Sequence, residues 1–272
     1  MRIVHFSDPH FGVFPPDILS RPGKCLLGAA NYWLRRRRHF QADMAARLAK
    51  QLPALAPDLV VCTGDLATVG IPEEFTLARK QLQPILDWAG ERFVFVPGNH
   101  DAYVRDRLCQ EALAETFQAL NRGRWQLDQL PAVLFHDHVR LILIHAARPV
   151  PFWLSCGSLS ENSLARLDAL LQEPRRHAET RLAICHFPVF TRTGGTPGWR
   201  RGLQGGEGIR WHLLHNRLDA LLCGHIHHPF VFTCPSQALQ VCAGSLTLNG
   251  AFALIDVHTD SPIPRCQHIV LQ

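Results

Sequence analysis

Two hydrophobic periods divide the chain. Short apolar runs, several of them β-branched, alternate with longer stretches in which apolar residues recur every three or four positions. The first pattern marks buried strands and the second amphipathic helices. Strands are expected over residues 2–6, 59–62, 92–96, 132–135, 140–145, 181–185 and 220–223, and helices over residues 24–34, 40–51, 72–88, 108–121, 160–172 and 207–216. Beyond Cys223 only short strands follow, over residues 230–233, 239–242, 251–257 and 268–271. Alternation first, then strand after strand, predicts an α/β layered domain with two sheets face to face and helices outside. No repeat or linker composition divides the chain, so one domain over residues 1–272 is expected.

Composition narrows the class. With 47% apolar and 19% charged residues the chain has enough to bury a sizeable core. No apolar run approaches the roughly 20 residues of a membrane span, and Met1 leads straight into a strand-like run, so a cytoplasmic protein is expected. The net charge of +5 is too small to argue for nucleic acid, and no such partner is expected. Lys occurs only at Lys24, Lys50 and Lys80, and the other 25 cations are Arg. The guanidinium fork suits oxyanions; the alternative, GC-rich coding that replaces Lys with Arg throughout, is the reading favoured for most of the 25. The nine Cys are odd in number, irregularly spaced and without a Cys-x-x-Cys, as expected for buried thiols rather than a disulfide framework.

The candidate chemistry sits at strand ends. Five expected strands run into Asp8-Pro9-His10, Gly64-Asp65, Gly98-Asn99-His100-Asp101, His186 and Gly224-His225-Ile226-His227. Residues just past the carboxyl ends of strands in an α/β sheet converge on one crevice. Imidazole and carboxylate together suit manganese, iron, zinc or cobalt, whereas magnesium or calcium would draw nearly all oxygen. Asp8, His10, Asp65, Asn99, His186, His225 and His227 are too many for one ion and about right for two. Gly64, Gly98 and Gly224 allow close backbone approach.

This ordered set of motifs resembles the calcineurin-like metallophosphoesterases. The resemblance covers most of the chain. It implies a four-layer α-β-β-α sandwich of two mixed sheets flanked by helices. It also implies roles: Asp8, His10 and His227 on one divalent transition-metal ion, Asn99, His186 and His225 on a second, and Asp65 bridging. Manganese is the ion expected for activity. His100 would contact the phosphate and protonate the leaving oxygen, oriented by Asp101, while a metal-bridging hydroxide attacks phosphorus in line. A scaffold that had lost the chemistry would usually lack ligands, and here all seven and His100 are present.

Which phosphoester is cleaved depends on thinner features. The second motif lacks the Asp-Arg-Gly that phosphoprotein phosphatases carry, and neither Tyr32 nor Tyr103 fits the ligand Tyr of purple acid phosphatases. Glu74-Phe75 resembles the group that contains cyclic-nucleotide phosphodiesterases and UDP-2,3-diacylglucosamine pyrophosphatases. An insertion at about residues 11–40 carries apolar and aromatic positions, Trp33 among them, followed by Arg35, Arg36, Arg37 and Arg38. That order reads as a membrane-surface element; the alternative is a packed helix with a solvated basic end. The insertion looks similar to that of the chlamydial-type pyrophosphatases, which implies UDP-2,3-diacylglucosamine as substrate and lipid X and UMP as products. A 3′,5′-cyclic nucleotide stays open as the other substrate. A second apolar loop, residues 149–154, includes Trp153. A Gly/Arg-rich flap at about residues 191–208 offers Arg192, Arg200 and Arg201 as phosphate contacts, against the alternative of exposed loop arginines. His5 is expected to be structural, and His145 and His228 to border the site.

Overall fold

A computed structural model describes residues 1–14, 23–41 and 43–271, except for the side chains of Arg35, Arg36, Arg37 and Pro262. In chain order the first half comprises β1 (Arg2–Phe6), α1 (Lys24–Asn31), α2 (Met44–Leu55), β2 (Leu59–Cys62), α3 (Pro72–Ala89), β3 (Phe93–Phe95), α4 (Arg107–Leu120), β4 (Ala132–His136) and β5 (Val139–Leu143). The second half comprises β6 (Gly157–Ser158), α5 (Glu161–Gln172), β7 (Thr180–Ile184), β8 (Leu203–Gln204), α6 (Gly206–Leu214), β9 (Ala220–Cys223), β10 (Phe230–Thr233), β11 (Leu239–Cys242), α7 (Leu246–Asn249), β12 (Ala251–His258) and β13 (Ser261–Val270).

Apart from β6 and β8, which pair with each other, these strands form two mixed sheets, as expected. One runs β13-β12-β1-β2-β3 and the other β10-β11-β9-β7-β5-β4. The three strands β1, β2 and β3 are parallel, and so are β5, β7, β9 and β11. The strand period of two sorts side chains to opposite faces. In the second sheet Leu141, Leu143, Leu182, Ile184 and Leu222 join β1, β2 and β3 in the core between the sheets. Their neighbours Ile142, Ala183, Cys185, Leu221 and Cys223 pack outward with Leu167, Leu171, Ile209 and Leu213 of α5 and α6. Helices α2 and α3 bury Leu48, Leu52, Leu82 and Ile85 in the first cluster. All nine cysteines are free, eight of them buried.

Boundaries moved where local chemistry outweighed the period. Helix α2 starts at Met44, not residue 40, because Phe40 packs its ring on His10 and Tyr32 instead. It then continues through Pro53 to Leu55, held by its buried stripe. Helix α1 stops at Asn31 and gives way to a π turn over Tyr32–Arg36 and a 3₁₀ turn over Arg37–His39. Strand β13 is far longer than expected. It contains Pro262 and Pro264, and as a sheet edge it tolerates them. The two-residue strands β6 and β8 and the one-turn α7 are too short to leave a period. Residues 15–22 of the expected insertion lie outside the described residues.

At the end of β7 remote from the candidate chemistry, Arg181 is buried with Glu179. Its guanidinium donates to Glu179 Oε1 (2.5 Å) and to the carbonyls of Leu171 (2.9 Å) and Glu173 (2.7 Å). A buried charge needs such full pairing. Among the described residues no helix is long and apolar enough to cross a membrane.

Candidate metal centre

The carboxyl ends of β1, β2 and β3 in one sheet and of β7 and β9 in the other open onto one place. The loops cross-link there. Asp8 N donates to Gly64 O (3.0 Å), His10 N to Asp65 O (3.0 Å), Gly224 N to His186 O (2.9 Å) and His225 N to Asp8 Oδ2 (3.0 Å). The chain is bent hard to do this. Asp8, His10, Asp65 and His225 all have left-handed backbones, with φ of 53°, 46°, 56° and 66°. Each such non-glycine residue costs on the order of 1–3 kcal/mol. The buttress comes from α7 and its N-cap: Ser245 Oγ and Thr247 Oγ1 donate to the carbonyls of Asp8 and Pro9, both at 2.7 Å. Three glycines are required by space: a Cβ on Gly64 would lie 2.3 Å from Gly98 N, one on Gly98 2.2 Å from Asp65 Oδ1, and one on Gly224 2.4 Å from Asp8 Oδ2.

The seven candidate ligands converge. Asp8, His10 and His227 form one group with ligand atoms within 4.8 Å of one another, and Asp8, Asp65 and His186 form another. Asp65 Oδ2 lies 3.4 Å from His186 Nε2 and 3.8 Å from His10 Nε2. His186 Nε2 also meets Asn99 Oδ1 at 3.2 Å, and its ring packs against that of His225. Divalent ions fit this donor set. The Nε2 atoms of His10 and His227 face each other, and the buried Asp8 Oδ1 and His225 Nε2 take part in no hydrogen bond among the described residues.

One loop orients three rings. Nδ1 of His186 meets Thr63 O (2.7 Å), Nδ1 of His10 meets Ala67 O (3.2 Å) and Nδ1 of His100 meets Thr68 O (2.5 Å). A carbonyl only accepts, so each Nδ1 carries the proton and each Nε2 is directed to the site. Stacking on Tyr103, with 11° between the planes, and an edge contact with His10 fix the plane of the His100 ring.

Electrostatics follow from burial and pairing. Burial alone would raise the Asp8 and Asp65 carboxyls, but the surrounding imidazoles hold both well below the usual range. Burial would lower His186, yet Asp65 and Asp8 raise it to about 10. Burial pushes His225 down to about 3, which keeps it neutral, the form that ligates metal. His5 is buried against Thr63 Oγ1 at 2.9 Å, a packing role.

Asp101 departs from its expected place. Its carboxylate makes no bond to the His100 ring. It accepts the backbone N–H groups of Asp65 (2.8 Å), Ala67 (3.0 Å) and Gly98 (2.8 Å). The reason is geometric: the turn over residues 98–101 folds the side chain inward under Asp65, whose own Oδ1 accepts His100 N at 2.7 Å. Burial and the Asp65 charge raise Asp101 to about 7. The orienting group for His100 is the Thr68 carbonyl, which leaves no mark in a sequence.

Asp65, Asn99, His100, His225, Ile226, His227 and His228 line a cavity of about 260 Å³, completed by Ser155 and Arg201. Arg201 is thus brought to the metal ligands. Arg200 instead lies over the Trp199 ring at 5.2 Å, and Arg192 is exposed away from the cavity lining. The flap is tied down by β8, which pairs with β6, and by Ser155 N donating to Arg200 O at 2.9 Å. Trp153 is exposed beside Phe152. Trp33 is half-buried against Phe14 and Tyr32. The side chains of Arg35 and Arg36 lie outside the described residues. Lys24 Nζ donates to Tyr103 O (2.9 Å) and Val150 O (2.7 Å), joining the insertion to the His100 loop and the second apolar loop. No sequence signal pointed to Ser155, Lys24 or Phe40, whose roles depend on tertiary approach.

Two mixed sheets between helices, with Asp, Asn and His ligand candidates at five strand ends, define a metallophosphoesterase fold. The calcineurin-like phosphoesterase family profile matches residues 1–229, and the chain belongs to that family. A cAMP/cGMP dual specificity phosphodiesterase of Mycobacterium tuberculosis (strain CDC 1551 / Oshkosh) is 29% identical over 220 residues, 74% of this chain and 63% of that protein. The chain therefore spans somewhat less than two thirds of that relative. Among solved structures, a dimetal phosphatase from Danio rerio superposes with a TM-score of 0.68 at 17% identity, covering 100% of this chain and 99% of the other. The purple acid phosphatase of yellow lupin (Lupinus luteus) seeds gives 0.57 at 14% identity, covering 94% and 49%. At these identities the two structures speak for the fold alone.

Proposed function

We propose that the chain is a dinuclear-metal phosphohydrolase that cleaves a phosphodiester or pyrophosphate bond. One observation carries this reading: Asp65 Oδ2 lies 3.8 Å from His10 Nε2 and 3.4 Å from His186 Nε2, so a single side chain is within reach of both donor sets and would bridge them. Asp8, His10 and His227 would hold one divalent ion, and Asn99, His186 and His225 the other, with manganese the expected working ion. Bound ions supply an activated water and neutralise charge on the phosphoryl oxygens. The protein's part is orientation and proton transfer. His100, its Nδ1–H held by Thr68 O, presents Nε2 to the cavity; in the imidazolium form Nε2 carries a second proton, which it would deliver to the departing oxygen, a contribution of about 10²–10⁴-fold. Arg201 faces the same cavity and suits a phosphoryl oxygen.

The substrate we propose is a lipid-linked nucleotide such as UDP-2,3-diacylglucosamine, split to lipid X and UMP. Exposed apolar side chains around the insertion, the second apolar loop and the flap support it: Leu34 (83% exposed), Trp199 (67%), Phe152 (64%) and Trp153 (60%). Lys24 joins the first two segments and the pair Ser155–Arg200 the last two. Such a rim would sit on the cytoplasmic face of a membrane and cover acyl chains. A 3′,5′-cyclic nucleotide is the second reading, favoured by the mycobacterial relative. Turnover of UDP-2,3-diacylglucosamine and of cyclic AMP, side by side under Mn²⁺, separates the two. Hydrolysis of the lipid substrate alone is expected; hydrolysis of cyclic AMP alone overturns the choice.

A further inference from the structure

Glu74 sits in the first turn of α3, fully buried, with its carboxylate folded back over the loop that follows Asp65. Its Oε2 accepts the backbone N–H groups of Thr68 (3.1 Å), Val69 (2.8 Å) and Gly70 (3.0 Å), and its Oε1 accepts the Thr68 hydroxyl. Four donors on one carboxylate pin three consecutive residues. It forms no ion pair among the described residues, so these bonds alone offset the cost of burying it.

The pinned loop touches the proton donor twice. Thr68 O accepts His100 Nδ1–H at 2.5 Å. Gly70 packs so closely on the next turn that a Cβ there would lie 2.7 Å from Asp101 O and 3.0 Å from His100 O. A shift of this loop would therefore move the group that sets the His100 tautomer. The other two rings held by carbonyls of this region, His10 and His186, bond to Ala67 and Thr63, upstream of the residues whose N–H groups Glu74 holds.

We infer that Glu74 is a positioning residue for proton transfer: by clamping residues 68–70 it keeps the Thr68 carbonyl where it holds Nδ1–H and the plane of His100, so that Nε2 is the ring nitrogen that takes up a proton and delivers it as the imidazolium. The inference rests on His100 being the proton donor to the leaving oxygen. A proton donor matters most when the leaving group is a poor one. A fault in His100 alone is therefore distinguishable from general damage.

The test uses the full chain loaded with Mn²⁺ and two substrates, bis-p-nitrophenyl phosphate, with a good leaving group, and diphenyl phosphate, with a poorer one. Glu74→Ala removes the clamp, and Glu74→Asp retracts it by one methylene should the first variant fail to fold. Each is expected to lose at least ten times more kcat on diphenyl phosphate than on the nitrophenyl ester, with KM and bound metal little changed. Glu74→Gln keeps an oxygen for the three N–H groups and an amide for the Thr68 hydroxyl, and should recover most of that lost selectivity. Equal losses on both substrates, or no loss, overturn the inference. A second readout does not need turnover. ¹⁵N NMR of the Zn²⁺-loaded chain should place the one proton of the neutral His100 ring on Nδ1 in the wild type, which leaves Nε2 as the atom that takes up the proton to be delivered, and should spread it over both nitrogens in Glu74→Asp. An unchanged tautomer overturns the clamp even if the chain hydrolyses neither ester, an outcome that counts against the phosphohydrolase reading instead.

Discussion

The Nε2 atoms of His10 and His227 lie 3.1 Å apart, and each faces Asp8 Oδ1, at 3.6 and 3.5 Å. Two imidazole nitrogens and a carboxylate oxygen at such distances suit one ion better than a set of hydrogen bonds. Anything that binds the folded chain alone stabilises it, by about 2.7 kcal/mol at a hundred times the dissociation constant. Adding Mn²⁺ or Zn²⁺ to chelator-treated protein should therefore raise Tm in proportion to two sites. His227→Ala should lose part of that rise. Calorimetry in the two states checks it, and an equal rise in both proteins would count against His227 as a ligand.

Asp101 and His100 are neighbours with separable duties. His100→Asn should cut turnover about 10²–10⁴-fold and leave two ions bound. Asp101→Ala strips the acceptor from three buried backbone N–H groups, those of Asp65, Ala67 and Gly98. Each orphan costs about 1–3 kcal/mol, so this variant should lose stability and metal together. Metal analysis beside kcat distinguishes the pair. Retention of both ions and of wild-type Tm in Asp101→Ala would show the carboxylate to be dispensable for the loop.

Burial lowers His5 to about 3, well under the ordinary value of about 6.5. Between those values the unfolded chain binds a proton that the folded chain refuses. Stability from this group is thus full above about pH 6.5 and falls as pH drops below it, by up to about 1.4 kcal/mol per pH unit. In chelator, His5→Gln should show a shallower acid-side decline than the wild type. Parallel curves between pH 6.5 and 4 would mean that His5 is protonated in the fold.

The aromatic rim makes a prediction about surfaces. Phe152→Ser, Trp153→Ser and Trp199→Ser in one chain should weaken co-sedimentation with anionic phospholipid vesicles by an order of magnitude or more. The same chain should hydrolyse bis-p-nitrophenyl phosphate at a comparable rate, since none of the three lines the metal cavity. Wild-type protein that stays with the supernatant would mean that the rim does not bind membrane.

Much of the architecture was legible because the period was strong. Strands β1, β2, β9, β10 and β11 fall on the residues their apolar runs mark, and the convergence of seven ligand candidates follows from five strands ending alike. What escaped was of two kinds. Elements with too few residues to carry a period, such as β6, β8 and α7, were missed, although the first two anchor the flap and the third, with its N-cap, buttresses Asp8 and Pro9. Partners that act through the backbone were missed as well. The carbonyls of Thr63, Ala67 and Thr68 orient three histidines, and any residue at those positions carries the same carbonyl. For the same reason Asp101 was expected beside the His100 ring, whereas its acceptors serve backbone N–H groups.

Two ions sharing Asp65 would make this chain a phosphohydrolase. Mn²⁺ can be titrated into chelator-treated wild type and Asp65→Asn while hydrolysis of bis-p-nitrophenyl phosphate is followed. Wild-type activity should appear with metal and saturate at two ions per chain, and Asp65→Asn should lose turnover by orders of magnitude. Wild-type protein that takes up two ions and hydrolyses nothing, or that is fully active with none, would contradict a two-ion phosphohydrolase.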